Sequence, residues 1–194
     1  MMRAVETHNL AEFERLVGTA ALAYHVREFL EQVVQPVLVE VGNRWEQGQM
    51  TIAEEHAVSA SLRAVLLALV RTYQRPLGTP KVLLATLPDE RHEFGILMFQ
   101  LIAASVGVSV HYLGPDVPVM DLVHTATTLK VEVIALSAIN CGLAESARHD
   151  MNDLLGSLPT SVSVWIGGRC AENVVGAIRD SRLLFIRDLF ELEQ

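Results

Sequence analysis

The chain has 194 residues, 51% of them apolar, and a formal charge of −8. Fifteen cations, only two of them lysine, stand against 23 carboxylates. That balance excludes direct binding to a phosphate backbone, which needs clustered positive charge. No segment reaches the roughly 20 uninterrupted apolar residues of a membrane helix. Met1–Glu6 lacks the apolar core of a signal peptide, so no membrane association and a cytoplasmic protein are expected. Cys141 and Cys170 have neither zinc nor CxxC spacing, which predicts two free thiols in a reducing compartment.

The first third of the chain has helical periodicity. A segment near Leu10 to Val17 and another from about Ala20 precede a stretch in which Leu30, Val33, Val34, Val37, Leu38 and Val41 recur at three- and four-residue steps. Pro36 lies inside that stretch and predicts a kink or break. Val58, Leu62, Val65, Leu66 and Leu69 define a further helix, completing a four-helix bundle. Between these last two helices, Gly48 ends the one bearing Trp45. Thr51 with Glu54 three residues later makes a capping box for the next. Trp45 therefore lies in a last turn and Glu55-His56 in a first turn, with nine residues between Trp45 and Glu55.

Tyr73–Pro80, with two prolines and a glycine, marks a change of pattern and places a helical domain at 1–78 and a second domain at 79–194. Beyond it, β-rich runs alternate with helical ones. Strands are predicted at Val82–Leu87, Val108–Leu113, Val131–Ser137, Val162–Ile166 and Leu183–Ile186. Helices are predicted at Phe94–Ser105, Met120–Leu129, Ala144–Leu155 and Ala171–Ile178. Strict βα alternation predicts a doubly wound, flavodoxin-like parallel sheet of order 2-1-3-4-5. Its ligand crevice opens at the carboxyl ends of strands one and three. His92 follows strand one, Ser137 with Asn140 behind it closes strand three, and Gly167-Gly168 follow strand four. All fall on one edge of the sheet, around the switch point, and mark the candidate site.

Glu90-Arg91-His92-Glu93-Phe94-Gly95, Ser137-Ala138-Ile139 and Gly167-Gly168 resemble the D-x-H-x-x-G, S-x-L and G-G signature of the cobalamin-binding domain family. That family includes modules of methionine synthase, corrinoid methyl carriers and mutases, in which a helical cap also precedes the α/β module. The resemblance implies that His92 is the lower cobalt ligand, in place of the cofactor's dimethylbenzimidazole. It also implies that the nucleotide tail slots beside Gly95, Ser137, Ile139, Gly167 and Gly168, under a helical cap at residues 1–78. A metal-bound imidazole needs its second nitrogen held by a carboxylate. Glu90 is assigned that role, with Asp89 as the weaker candidate. Glu90 stands where the family has Asp, and the methyl carriers' H-D-I-G-K run is absent, with Phe94 and Ile96 in its place.

The Trp-x9-Glu-His spacing is similar to that of adenosylcobalamin photoreceptors of the CarH type, which repress carotenoid genes in the dark. It implies that Trp45, Glu55 and His56 surround the adenosyl group and that the protein is a sensor in transcription regulation, not an enzyme. The implied partners are a transcription factor or a DNA-binding domain outside this chain, and further copies in a homo-oligomer. Adenosylcobalamin is the implied cofactor, with methylcobalamin and hydroxocobalamin as other forms. Those photoreceptors carry an amino-terminal winged helix, which this sequence lacks, so an excised sensor or a stand-alone antirepressor is expected. Glu46 follows Trp45 where a cobalt-capturing histidine often stands.

Three other readings stay open: a corrinoid methyl carrier, a light-independent sensor of cobalamin level, and a flavodoxin-like domain without a corrinoid. His8, His25, His111, His124 and His149 have no partner spacing, and Met50, Met98 and Met120 read as packing residues. Zinc-ligand spacing, a Walker loop and G-x-G-x-x-G are missing.

Overall fold

The computed structural model of the protein describes residues 1–7, 9–73 and 81–190. The chain divides into two compact units, Met1–Tyr73 and Gln74–Gln194. Beyond Tyr73, the segment read above as a linker lies outside the described residues, as does His8.

The first unit is helical: α1 (Met2–Glu6), α2 (Leu10–Ala23), α3 (Val26–Phe29), α4 (Gln35–Glu46) and α5 (Ile52–Tyr73). Asn9 caps α2 by accepting the Glu12 N–H at 3.1 Å. The helix then runs unbroken to Ala23, where a separate helix had been expected from about Ala20. Gly18 and Thr19 do not end it, and the next start comes at His25, which caps α3. The apolar rows do what their spacing predicts. Phe13 and Val17 of α2 are buried, as are Val58, Leu62, Leu66 and Val70 at four-residue steps along α5. Ser61 of α5 donates to Glu14 of α2 at 2.9 Å, which satisfies the buried hydroxyl.

Pro36 does not break the helix. Residues Leu30–Val34 widen into a π turn that joins α3 to α4, with the Gln35 N–H reaching back to the Leu30 carbonyl. Proline lacks an N–H and crowds the carbonyl four residues earlier. One extra residue per turn relieves that clash while the chain stays helical.

The second unit holds a five-stranded parallel sheet of order β2-β1-β3-β4-β5. The strands are β1 (Val82–Ala85), β2 (Val110–Gly114), β3 (Val133–Ser137), β4 (Ser163–Gly167) and β5 (Leu183–Phe185). Between them lie α6 (Phe94–Ser105), α7 (Val119–Leu129), α8 (Ala144–Ser157) and α9 (Ala171–Val175). The predicted flavodoxin-like order holds, with most strands starting or stopping within two residues of their expected bounds.

Side chains alternate across the sheet with the period of two that a strand imposes. Val82, Leu84 and Ala135 meet Ile96, Phe99 and Ala103 of α6 on one face. Leu83, Ala85, Ile134, Leu136, Val164 and Ile166 face the other core, with Leu122 of α7, Met151 and Leu154 of α8, and Val174 of α9. Because α6 covers one face and α7 to α9 the other, the connections diverge after β1 and β3. That divergence opens a crevice at their carboxyl ends.

The capping box at the start of α5 is fully formed. The Thr51 N–H and Oγ1 both donate to Glu54 Oε2 at 2.8 Å, and Thr51 Oγ1 accepts the Glu54 N–H at 3.2 Å. Thr51→Ala is expected to cost the helical unit about 1 kcal/mol. A lower urea midpoint for loss of helical signal would show it, and an unchanged midpoint would mean the box is not stabilising.

Candidate functional site

The loop after β1 is built to hold one histidine. Thr86, fully buried, donates its hydroxyl to the Glu90 carbonyl and accepts the Asp116 N–H at 2.9 Å. The Asp116 N–H also reaches the Glu90 carbonyl at 3.1 Å, and the Asp89 N–H donates to Asp116 Oδ1 at 2.8 Å. Asp89 itself has φ 64°, a left-handed turn that folds Glu90 back under the loop. This bonding commits Asp89 to the turn and leaves Glu90 as the carboxylate beside His92. At the far end, Glu93 is buried just before α6 and accepts the hydroxyl of Tyr112 from β2.

Glu90 Oε1 lies 2.5 Å from His92 Nδ1 and accepts the His92 N–H at 3.1 Å. Oε2 accepts two more backbone donors, Ile139 N–H at 2.8 Å and Asn140 N–H at 2.7 Å. Burial pushes the carboxyl group's pKa up. The hydrogen bonds from the His92 ring, the Asn140 and Ile139 N–H groups and the His92 N–H outweigh it and bring the value down to about 2. An ionised Glu90 accepts the Nδ1 proton, which in the neutral ring places the lone pair on Nε2. His92's side chain is 58% exposed, so the ring stands at the open edge of the sheet while its carboxylate stays inside.

Ser137 ends β3 and is buried. A Cβ on Gly95 would lie 2.5 Å from Ser137 Oγ, so the two positions are matched: a hydroxyl occupies the space that a glycine leaves. Gly168 has φ +104°, and a Cβ there would come within 2.4 Å of the Ala138 carbonyl. The loops after β3 and β4 therefore touch backbone to backbone. Ala138 N–H donates to Gly167 O at 2.9 Å, and Cys170 N–H donates to Ala138 O at 3.1 Å.

The structure thus brings Glu90, His92, Gly95, Ser137, Ile139, Gly167 and Gly168 to one sheet edge. Trp45, Glu55 and His56 belong to the helical unit. Trp45 lies in the last turn of α4 and is half exposed. In the first turn of α5, Glu55 accepts from Ser59 Oγ at 2.6 Å and pairs with His56 Nδ1 at 2.5 Å.

The expectation of free thiols is corrected. Cys141 and Cys170 are joined in a disulfide, their Cα atoms 5.2 Å apart. Twenty-nine residues separate them in sequence, but β3 and β4 are neighbours and bring their following loops together. Spacing along the chain does not disclose that adjacency. Sequence reasoning also missed Thr86 and the Tyr112–Glu93 bond, for which an apolar strand pattern has no signal.

Among the described residues, no group of three or more His, Cys, Asp or Glu side chains is placed to hold a metal ion. The Glu90-held imidazole of His92 is a single donor, of the kind that fits a metal whose other ligands a macrocycle would bring.

The family model described as B12 binding domain matches residues 1–69. The HTH-type transcriptional repressor CarH of Myxococcus xanthus is 32% identical over 174 residues, covering 89% of this chain and 58% of its own length. Residues 1–69 thus belong to the B12 binding domain family, and the chain is similar to CarH along most of its length. A dimethylamine corrinoid protein of Methanosarcina barkeri is 23% identical over 176 residues, covering 81% of this chain and 82% of that protein. The monomethylamine corrinoid protein of the same organism shares the fold, with a TM-score of 0.75 at 17% identity over 97% of this chain and 91% of that one. The chain spans a little over half the length of the repressors CarH and CarA of Myxococcus xanthus, 58% and 56%. No described helix is long and apolar enough to cross a membrane.

Glu90 links this site to stability. Its folded value of about 2 lies below its ordinary 4.5, so its stabilisation is complete above about pH 4.5 and lost as the pH falls toward 2. The stability gap between wild type and Glu90→Gln is expected to reach about 3 kcal/mol at neutral pH. It should narrow through that window, and a gap independent of pH would contradict the assignment. Gly168→Ala should cost at least about 1–3 kcal/mol, from strain and from the clash with Ala138. Thermal unfolding of the purified variant measures it, and an unchanged midpoint would show that the two loops move apart freely.

Proposed function

We propose that the chain is a cobalamin-binding, light-responsive sensor domain that acts in transcription regulation, with adenosylcobalamin as its cofactor. The observation that carries the cobalamin reading is the Glu90–His92 pair at the switch point, where a buried carboxylate lies 2.5 Å from Nδ1 of a half-exposed imidazole. Similarity to CarH supports the regulatory reading, since that repressor covers most of this chain at 32% identity. The cofactor would supply a cobalt–carbon bond that green light breaks.

Within this reading His92 is the lower ligand. Glu90, ionised throughout the physiological range, holds the Nδ1 proton, fixes the tautomer and makes Nε2 more basic. Gly95 and Ser137 pack together beside the tail groove, Ile139 orients Glu90 through its N–H, and Gly168 lets the loops after β3 and β4 close on each other. Residues 1–78 serve as the helical cap and residues 79–194 as the cofactor module. In the cap, Trp45 packs its indole against the adenosyl group and excludes water. Glu55 accepts from ribose hydroxyls, and its partner His56 contacts adenine. Trp45, Glu55 and His56 would make these contacts only with the adenosyl group in place, which would bias the balance between two conformations. The shifted conformation alters an interface with a DNA-binding partner or with another copy of the chain. Glu46 after Trp45 argues against a second histidine ligand from that position once the adenosyl group has left.

A second reading has its own support. The dimethylamine corrinoid protein matches over 82% of its length, so a methyl carrier serving methyltransferases explains the module equally well. It assigns no role to the Trp45, Glu55 and His56 spacing.

The deciding experiment loads the purified protein with adenosylcobalamin in the dark and records visible spectra and assembly state before and after green light. Binding with a histidine-ligated spectrum that His92→Ala abolishes, and a change of assembly state on illumination, are the expected results. Loss of the outer-shell carboxylate in Glu90→Gln should weaken binding by about 10–100-fold. A loaded protein whose assembly ignores light would sink the sensor and favour the carrier or a sensor of cobalamin level.

A further inference from the structure

The Cys141–Cys170 disulfide lies next to the residues that hold Glu90. Ile139 and Asn140 donate both N–H groups to Glu90 Oε2, and Cys141 is the next residue along the chain. Cys170 belongs to the loop after β4, whose Arg169 Nε donates to the Ile139 carbonyl at 3.0 Å and whose own N–H reaches Ala138. The peptide that grips Glu90 is therefore anchored on one side by β3 and on the other by a covalent tie to β4's loop. Cys141 is exposed, whereas Cys170 is fully buried. One sulfur is thus open to an attacking thiolate and the other is sheltered.

We propose that this pair is a redox latch on the cradle of the His92 ligand, closed as the disulfide and open as two thiols. The inference rests on the cobalamin reading for its consequence, though not for its structural part. A small or protein dithiol opens the latch. Its thiolate attacks Sγ of Cys141, the Cys141–Cys170 bond breaks, and Cys170 leaves as a thiolate that takes a proton. The reductant's second thiol then displaces Cys141 as a thiol and departs as a cyclic disulfide, so two electrons and two protons have passed to the protein. The oxidised form of the same reagent class reverses the sequence.

Opening frees the 140–141 peptide from β4's loop and leaves backbone hydrogen bonds and the Arg169 contact to hold it. The Ile139 and Asn140 amides then leave Glu90 more often, by local opening. Each departure leaves the carboxylate with fewer partners and the His92 ring with less restraint. In a reducing compartment a disulfide of this kind is transient and regulatory. It would make cofactor retention depend on oxidant as well as on light.

The test compares the whole chain in dithiothreitol and in oxidised dithiothreitol, with Cys141→Ser alongside. That substitution sits on an exposed position and leaves the core intact. Two readouts are taken: hydrogen exchange of the Ile139 and Asn140 amides in unloaded protein, and the dissociation rate of hydroxocobalamin. Reduction is expected to speed both by about tenfold, the scale of losing an outer-shell restraint on a metal ligand. Cys141→Ser should show the fast values under both conditions. Equal amide exchange in the two redox states overturns the latch, as do equal dissociation rates in a protein that does bind hydroxocobalamin. If no cobalamin binds in either state, the proposed function falls instead, and amide exchange in the unloaded protein still decides whether the latch exists.

Discussion

A carboxylate taken out of water has to be surrounded by donors, and Glu90 is the residue around which this domain meets that demand. Four hydrogen bonds converge on its two oxygens, three of them from backbone N–H groups. Backbone donors come from elements that cannot rotate away, so the charge is held by the fold more than by other side chains. Without them, burial alone would raise the carboxyl group's pKa and favour the neutral form, which could no longer set the imidazole tautomer. The state of His92 thus depends on two peptide groups that lie about fifty residues further along the chain.

Parallel topology makes that arrangement possible. In a βα-alternating sheet every strand delivers its following loop to the same edge, and β1 and β3 are adjacent there because the connections diverge between them. Loop one brings Glu90 and His92, loop three brings the amides, and loop four closes against loop three through Gly168 and a disulfide. Small residues occur where this convergence leaves no room. Gly95 yields to the Ser137 hydroxyl and Gly168 to the Ala138 carbonyl. The approach of these loops is set by missing Cβ atoms as much as by groups that are present.

Both readings of function use this same edge, and they differ in what the remaining third of the chain does. A methyl carrier needs its cofactor's upper face offered in turn to other proteins. A photoreceptor needs that face covered, so that cover and cofactor change state together. Trp45, half exposed at the end of α4, and the Glu55–His56 pair at the start of α5 are the residues on which the two readings differ. A disulfide beside the Glu90 cradle ties the loop after β3, which supplies two of its amide donors, to the loop after β4.

Much of this was readable from residue patterns, because those patterns report local physics. Continuous apolar runs mark strands buried on both faces, and α6 begins at Phe94 and ends at Ser105 as its composition predicts. His92, Ser137 and Gly167-Gly168 could be placed at one edge because βα alternation alone sets which ends of the strands meet. Local chemistry went astray where one signal faced a compensating partner. Pro36 reads as a break, yet a π turn absorbs it, and α2 runs on past Ala20 to Ala23. The disulfide and the Ile139 and Asn140 grip on Glu90 could not be read at all. Each joins residues far apart in sequence whose meeting depends on which strands are neighbours and how closely their loops approach. The sequence by itself determined the strands, the helices and the histidine's position, since periodicity and turn chemistry act over a few residues. Only the tertiary structure decided what holds the Glu90 carboxylate beside it, because the approach of loops one, three and four is set by packing across the whole sheet.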